Sequence, residues 1–387
     1  MILAIDEVIP FWDQAFSGFG DIRPFRGRNL RAVDVRDADA IIVRSISPVG
    51  ADLLEGSSVR FVGTASIGMD HLDQEYLRSR KIYFTNAAGS NANAVAEWVV
   101  TALLTVATRR GWNFARKCCA VIGVGHVGSR VESKLRSLGI PVLLCDPPLR
   151  DATGNTKYQF LPDVLGADIL TLHVPLTRQG PCPTYHMIDH NLLERLSPGT
   201  FIVNSSRGAV IETGALKQAL RAGRLASAAI DVWEGEPSID YELMDGVDIA
   251  TPHIAGFSLD GKVRATEMML DEFCRFFNLQ RNWKTCGIFP PTATVRPLRN
   301  PDICEALRSI TLQAYNIFRD DNNLRSLRSL RRPQAARCFD QLRNNYPFRP
   351  EFRHFTVELL PEDHHFAAIC QAIGFQTIIA SNIRKAD

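Results

Sequence analysis

The sequence predicts an α/β protein built on parallel sheets. Three observations carry this. Short apolar strand-like runs alternate with helix-like segments from the N-terminus onward. The stretch "CCAVIGVGHVGSRVESKLRSLGIPVLLCDPP" reads as one complete βαβ unit. The apolar runs end in polar residues. In open parallel sheets ligands lie beyond the carboxyl ends of the strands, so functional side chains are sought there.

Taken in order, "ILAID" is a short buried strand and "DAIIVRS" a second, ending at Arg44 and Ser45. "VRFVGTAS" and "IYFTNAA" are the third and fourth, and "NANAVAEWVVTALLTVATRR" follows as a long apolar-faced helix. After the βαβ unit come four more apolar strands, in "ADILTLHVPL", "GTFIVNSSRGAVI", "LASAAIDVWEGEP" and "VDIATPHIAG". Near residue 280 the character changes. "RNWKTCGIFPPTATVRPLRNPDI" is rich in Pro and Arg without a long period and reads as a linker or extended arm. The last hundred or so residues alternate helix and strand, enough for a small α/β domain in which no chemistry stands out.

A chain of 387 residues exceeds one ordinary core, so two or three domains are expected. A hydrophobic fraction of 45% and a charged fraction of 22% are those of a soluble globular protein. A net charge of +2 gives no electrostatic case for nucleic acid or an anionic membrane. The nine cysteines form no CxxC, so reduced thiols in a cytoplasm are expected rather than a disulfide framework or a zinc site. No apolar stretch reaches the ~18 residues needed to span a bilayer. His186 and His190 stand four apart, and His364 and His365 are adjacent, but neither pair has a nearby third ligand, so no metal is expected. His71 reads as a surface residue or one that supports a site from behind.

The sharpest motif is Gly123-x-Gly125-x-x-Gly128, with His126 and Val127 inside it, lying after a strand and opening a helix. The first glycine permits a tight turn, the second lets a pyrophosphate approach the backbone, and the third lets helix and strand pack closely. The helix N-terminus supplies free N–H groups and partial positive charge. Asp146 ends the next strand, where an acid accepts bonds from ribose hydroxyls and repels a 2′-phosphate, which favours NAD over NADP. Three later strand ends carry Arg207, the "DVWEGEP" segment and His253. A guanidinium can hold a carboxylate bidentately and polarise an adjacent carbonyl. Hydride transfer at a hydroxyl carbon needs a group to take the hydroxyl proton, which an imidazole does near neutral pH. Glu236 could fix the tautomer of His253 and favour its charged form. Gly235 and Pro237 would aim Glu236, Trp233 would pack beneath the turn, and Glu234 would be solvated.

In this order, "GVGHVG", "SSRGAV", "DVWEGEP" and "PHIAG" resemble the NAD-dependent D-2-hydroxy acid dehydrogenases, over residues 1 to about 280. A finer match, through "IDEVIP", "VRSIS", "FVGTASIGMDHLD", "NANAVAEW" and "HIAGFSLDGKVRATE", is to a branch of that family acting on a phosphorylated hydroxy acid. "LRNNYPFRPEF" resembles the branch's C-terminal dimerisation domain, which implies a homodimer.

The resemblance implies a Rossmann-type NAD domain, residues 96–255, inserted in a flavodoxin-like substrate domain of residues 1–95 and 256–280. A C-terminal α/β dimerisation domain, 281–387, would follow, with the active site where the first two close. It carries over Arg207, Glu236 and His253 as catalytic. Asp146, Val174, Asp231 and Gly256 would contact NAD, as would Ser205, Ser206 and Arg207. Ser45, Ser66 and Phe257 would contact substrate. Val174 stands where the family pattern has Thr, Phe257 where it has Tyr, Ala88 where it has Pro and Ser90 where it has Cys. Arg44 is the first candidate for the substrate phosphate, and Arg343 or Arg349 of a partner copy the second. Two alternatives stay open: a dehydrogenase for another phosphorylated D-2-hydroxy acid such as 3-phosphoglycerate, and an NAD-sensing corepressor-like module.

Overall fold

The computed structural model describes residues 1–298, 302–347 and 349–380, apart from the side chains of Ala115 and His365. The chain forms two compact units. One is Met1–Asn91 with Ser258–Pro290. The other is Ala92–Phe257 with the described part of Pro291–Asp387.

In the first unit five strands, β1 (Ile2–Asp6), β2 (Asp21–Phe25), β3 (Ala40–Val43), β4 (Phe61–Thr64) and β5 (Tyr83–Asn86), form a parallel sheet in the order β2-β1-β3-β4-β5. The inner strands β3 and β4 are buried at every position, which is why they read as unbroken apolar runs. The helix Leu259–Phe277 covers one face, with Ser258 as N-cap and Asn278 as left-handed C-cap. Its direction is fixed by its contacts. Phe61, at the start of β4, meets Phe273, Phe276 and Phe277, whereas Gly63 faces Met269. The helix therefore runs antiparallel to the strands, and its first turn stands at their carboxyl ends. This unit was expected to end at residue 280. It continues to Pro290 because Trp283 is buried in its core and stacks on Phe11.

The second unit holds seven strands, β6 (Cys119–Ile122), β7 (Val142–Cys145), β8 (Tyr158–Gln159), β9 (Ile169–Leu172), β10 (Thr200–Asn204), β11 (Leu225–Ile230) and β12 (Ile249–Ala250). They lie parallel in the order β12-β11-β10-β9-β6-β7-β8. Read from the other edge, the connection reverses between β6 and β9, the doubly wound pattern with its ligand crevice at that switch point.

A second, smaller sheet of β13 (Ala293–Val295), β14 (Phe355–Leu359) and β15 (Gln376–Ile379) belongs to the same unit. The C-terminal segment that carries this sheet packs into one core with the helix Ala92–Arg110. Val95, Trp98 and Leu103 cluster with Leu307, Ile310, Phe352, Val357 and Phe366. The cause is visible in that helix, which is buried on all sides from Ala94 to Ala107 and needs cover beyond the sheet.

Buried charge joins the same parts. Asn93 donates to Glu97 (2.9 Å) and to Glu351 (2.8 Å), and Lys134 donates to the carbonyl of Ile373 (2.5 Å). Burial, and then the like charge of Glu351, push the Glu97 carboxyl up to about 8, against the opposing pull of Lys134 and Arg349.

Candidate active site

The three glycines of the β6 turn are required for three different reasons. Gly123 has φ +86°, and a Cβ there would lie 2.7 Å from the carbonyl oxygen of His173, which follows β9. A Cβ on Gly128 would overlap the Gly123 carbonyl. A Cβ on Gly125 would meet no atom of the described residues within 4 Å, so the space its missing side chain leaves is open, as a pyrophosphate against the backbone requires. Gly125 and His126 are exposed, Val127 is half-buried, and among the described residues no side chain caps the helix His126–Ser137. Its first N–H groups are thus available to an anion.

Asp146 locks this turn. One carboxylate oxygen accepts from the N–H of Val124 (2.7 Å) and the other caps the helix Pro147–Thr153 through Leu149 (2.9 Å). Each oxygen keeps a further lone pair for a ribose hydroxyl. Val174 lies against Gly123. Beside them, burial holds the His173 imidazole down to about 3, and its Nε2 is 2.9 Å from the Thr171 hydroxyl.

The next three strand ends leave the sheet side by side. The register pairs Asn204 with Ile230 and Ile230 with Ala250, so the residues after β10, β11 and β12 start at one level. After β10, Asn204 folds the turn. Its oxygen accepts from the N–H (3.1 Å) and hydroxyl (2.8 Å) of Ser206, and its amide donates to the Arg207 carbonyl (3.0 Å). Arg207 donates to the Ser206 carbonyl (2.8 Å). The Ser205 hydroxyl is buried without a hydrogen-bond partner among the described residues. A Cβ on Gly208 would overlap the Trp233–Glu234 peptide, so the turn after β10 sits directly on the "WEGEP" segment.

Glu236 faces His253, with Oε2 2.7 Å from Nδ1. Its other oxygen accepts from the N–H of Trp233 (2.8 Å), and the buried Trp233 indole donates to the Thr251 carbonyl (2.9 Å). Burial pulls the Glu236 carboxyl up. The charge and hydrogen bond of His253, the Arg343 charge and the Trp233 N–H outweigh it and hold the group below its ordinary value. Glu236 is therefore an anion against the imidazole.

Asp231 is buried and organises the His253 turn. One oxygen accepts from the Thr251 hydroxyl and the Ile254 N–H (2.9 Å), the other from the Ala255 N–H (3.0 Å). A single acceptor direction remains for a cofactor amide. Burial raises its carboxyl, opposed by the His253 charge and these bonds. Gly256 is half-buried in the turn that closes the Phe257 N–H onto Ile254 (2.7 Å). The Phe257 ring packs edge-on against Tyr346, whose hydroxyl is engaged by Asp320 (2.6 Å).

Two expectations are corrected. Glu234 is not simply solvated. It accepts from the Thr213 N–H and lies 2.7 Å from Nε2 of His186, so it fastens the segment to those residues. Arg349 is not a phosphate ligand. Its guanidinium is buried over the Tyr315 ring (4.1 Å) and donates to the carbonyls of Ala255 (3.2 Å) and Phe257 (3.3 Å), bracing the turn after His253. Arg343 stands with Nε buried and without a hydrogen-bond partner among the described residues.

In the first unit, Arg44 and Ser45 follow β3, and Ser66 follows β4. Ser45 is exposed. The Ser66 hydroxyl lies 2.7 Å from that of Thr64, which lies 3.0 Å from Nε2 of His71. Burial lowers His71 to about 4, so it is a neutral support for Ser66. Arg44 donates from Nε to the buried Asp6 (2.8 Å).

A family model described as the NAD binding domain of D-isomer specific 2-hydroxyacid dehydrogenases matches residues 86–255. A second, described as a domain of unknown function, matches residues 290–374. The erythronate-4-phosphate dehydrogenase of Salinibacter ruber is 43% identical over 94% of this chain and 95% of its own length. That of Pseudomonas putida is 40% identical over 97% and 99%. Among solved structures, the D-lactate dehydrogenase of Aquifex aeolicus, complexed with NAD and lactic acid, superposes with a TM-score of 0.61. It covers 72% of this chain and 96% of that one at 24% identity, a likeness of fold. The full-length similarity to the first two relatives, across both matched models, places the chain in the erythronate-4-phosphate dehydrogenase family, a branch of the NAD-dependent D-2-hydroxyacid dehydrogenases.

Proposed function

We propose that the chain oxidises 4-phospho-D-erythronate to (R)-3-hydroxy-2-oxo-4-phosphooxybutanoate, a step of pyridoxine 5′-phosphate biosynthesis. The observation that carries the chemistry is the Glu236–His253 pair, 2.7 Å apart at the carboxyl edge of a dinucleotide-binding sheet. The relatives' name supplies the substrate.

NAD+, when bound, accepts the hydride from C2. The chain's residues suit that cofactor: open space at Gly125, lone pairs on Asp146 and Asp231, and an unpartnered buried hydroxyl on Ser205. Val174 offers it backbone groups, and Ser206, Arg207 and Gly256 line the nicotinamide side. Arg207 binds the C1 carboxylate and the C2 oxygen, drawing electron density toward the developing carbonyl. His253 takes the C2 hydroxyl proton at Nε2, because Nδ1 is committed to Glu236. Glu236 stabilises the imidazolium so formed. Ser45, Ser66 and Phe257 contact substrate, and Arg44 its phosphate. A homodimer in the cytoplasm completes the proposal, on the resemblance of the C-terminal segment and nine free thiols. A monomeric mass in solution would contradict the dimer.

The test is an initial-rate panel of D-2-hydroxy acids with NAD+. The proposal expects the highest kcat/KM with 4-phospho-D-erythronate. Preference for 3-phosphoglycerate would reassign the substrate. NADH binding without turnover of any hydroxy acid would make the chain a sensor.

A further inference from the structure

We propose that Arg349 is a positioning residue of the reaction, through which the C-terminal segment holds the His253 turn in its working place. The inference rests on the dehydrogenase reading and extends the catalytic apparatus to that segment.

His253 stands in a strained backbone state. Its φ is +57°, in the left-handed region that a non-glycine residue keeps only where its surroundings over-determine it. The turn it opens is clamped from two sides. The Asp231 carbonyl takes the His253 N–H (2.7 Å), and the Asp231 carboxyl takes the N–H groups of Ile254 (2.9 Å) and Ala255 (3.0 Å). Arg349 takes the carbonyls. Its Nη2 donates to Ala255 (3.2 Å) and its Nε to Phe257 (3.3 Å). Ala255 is thus held at both its N–H and its carbonyl, and Gly256 lies between the two braced carbonyls.

The guanidinium is itself fixed by its own segment. It is buried over the Tyr315 ring (4.1 Å). The hydroxyls of Tyr315 (3.0 Å) and Tyr346 (2.6 Å) donate to one oxygen of Asp320, and the Tyr346 ring packs edge-on against Phe257. The facing carboxylate does not claim the arginine. Glu97 Oε2 is 3.9 Å from Nη1, and among the described residues neither atom has a hydrogen-bond partner. A buried ion pair without direct hydrogen bonds is a poor source of stability. The hydrogen bonds that Arg349 does make go to the His253 turn. They use two donors of a rigid planar fork, a geometry that a lysine ammonium does not reproduce.

The test follows 4-phospho-D-erythronate oxidation, NADH titration and thermal melting in Arg349→Met, Arg349→Lys, Glu97→Gln and the double variant Glu97→Gln/Arg349→Met. Arg349→Met removes the cation facing the buried Glu97 and should melt lower than the wild type. The double variant removes both charges and should recover much of that loss. Its kcat, measured well below the melting temperature, should nevertheless stay roughly 10- to 100-fold down, as for a misplaced catalytic group. NADH affinity should change little, because Gly125 and Asp146 lie outside the turn. Glu97→Gln keeps both carbonyl bonds and should hold kcat within about 3-fold. Arg349→Lys keeps a charge beside Glu97 without the fork, and should lose kcat with a smaller fall in melting temperature. Recovery of kcat together with melting temperature in the double variant, or wild-type kcat in Arg349→Lys, would overturn the proposal and leave Arg349 a structural partner of Glu97. A wild type that oxidises no D-2-hydroxy acid would instead overturn the dehydrogenase reading, and the proposal with it.

Discussion

Nδ1 of His253 lies 2.7 Å from Oε2 of Glu236, and the other Glu236 oxygen is held by the N–H of Trp233. The carboxylate is thus fixed at both ends, and the imidazole is left with only Nε2 for substrate. Glu236→Gln keeps the shape and removes the anion that steadies the imidazolium. kcat falls about 10-fold or more, within the range for a weakened acid–base group. An unchanged kcat would make Glu236 a packing residue.

Gly208 offers a sharper test of how that pair is aimed. Its φ lies outside the left-handed range, so alanine is conformationally acceptable there. The added methyl nevertheless overlaps the Trp233–Glu234 peptide. Gly208→Ala should displace the segment whose Trp233 N–H holds Glu236 and lower kcat at least ~10-fold, as misplaced catalytic groups do. NAD affinity should change little. The outcome is read by kcat and by NADH titration, and an unimpaired kcat would show that the segment is loose.

Acid stability follows from two neutral imidazoles. His71 and His173 sit at about 4 and about 3, below the ordinary value of 6.5, through burial. The unfolded chain therefore binds their protons first. Their contribution is fully present above pH 6.5 and is lost as pH falls through that value toward 4 and then 3. Melting temperature should drop steeply over that window, and His173→Asn should flatten the drop. A slope unaltered by that substitution would assign the acid sensitivity elsewhere.

Much of this was legible in the sequence because the relevant strands are buried on both faces and end together. The βαβ unit, the glycine turn and the strand ends bearing Arg207, Asp231 and His253 all follow from unbroken apolar runs. Edge elements were not legible. β2 reads "DIRPF", with a proline and partial exposure throughout, tolerable because it pairs on one side only. β13 lay hidden in the Pro-rich segment for the same reason. Long-range partners were also out of reach. Nothing adjacent to Glu234 announces His186, 48 residues away, and nothing near Arg349 announces that it braces carbonyls 92 and 94 residues earlier. Asn204 did leave a signal: an Asn at a strand end that folds the following turn onto its own side chain.

The most direct measurement is NADH formation by His253→Ala with saturating 4-phospho-D-erythronate and NAD+, beside NADH binding by the same variant. The account predicts binding like the wild type and turnover reduced about 10²- to 10⁴-fold, the worth of a positioned acid–base group. Turnover at the wild-type rate with binding intact would remove His253, and with it the Glu236 pair, from the chemistry.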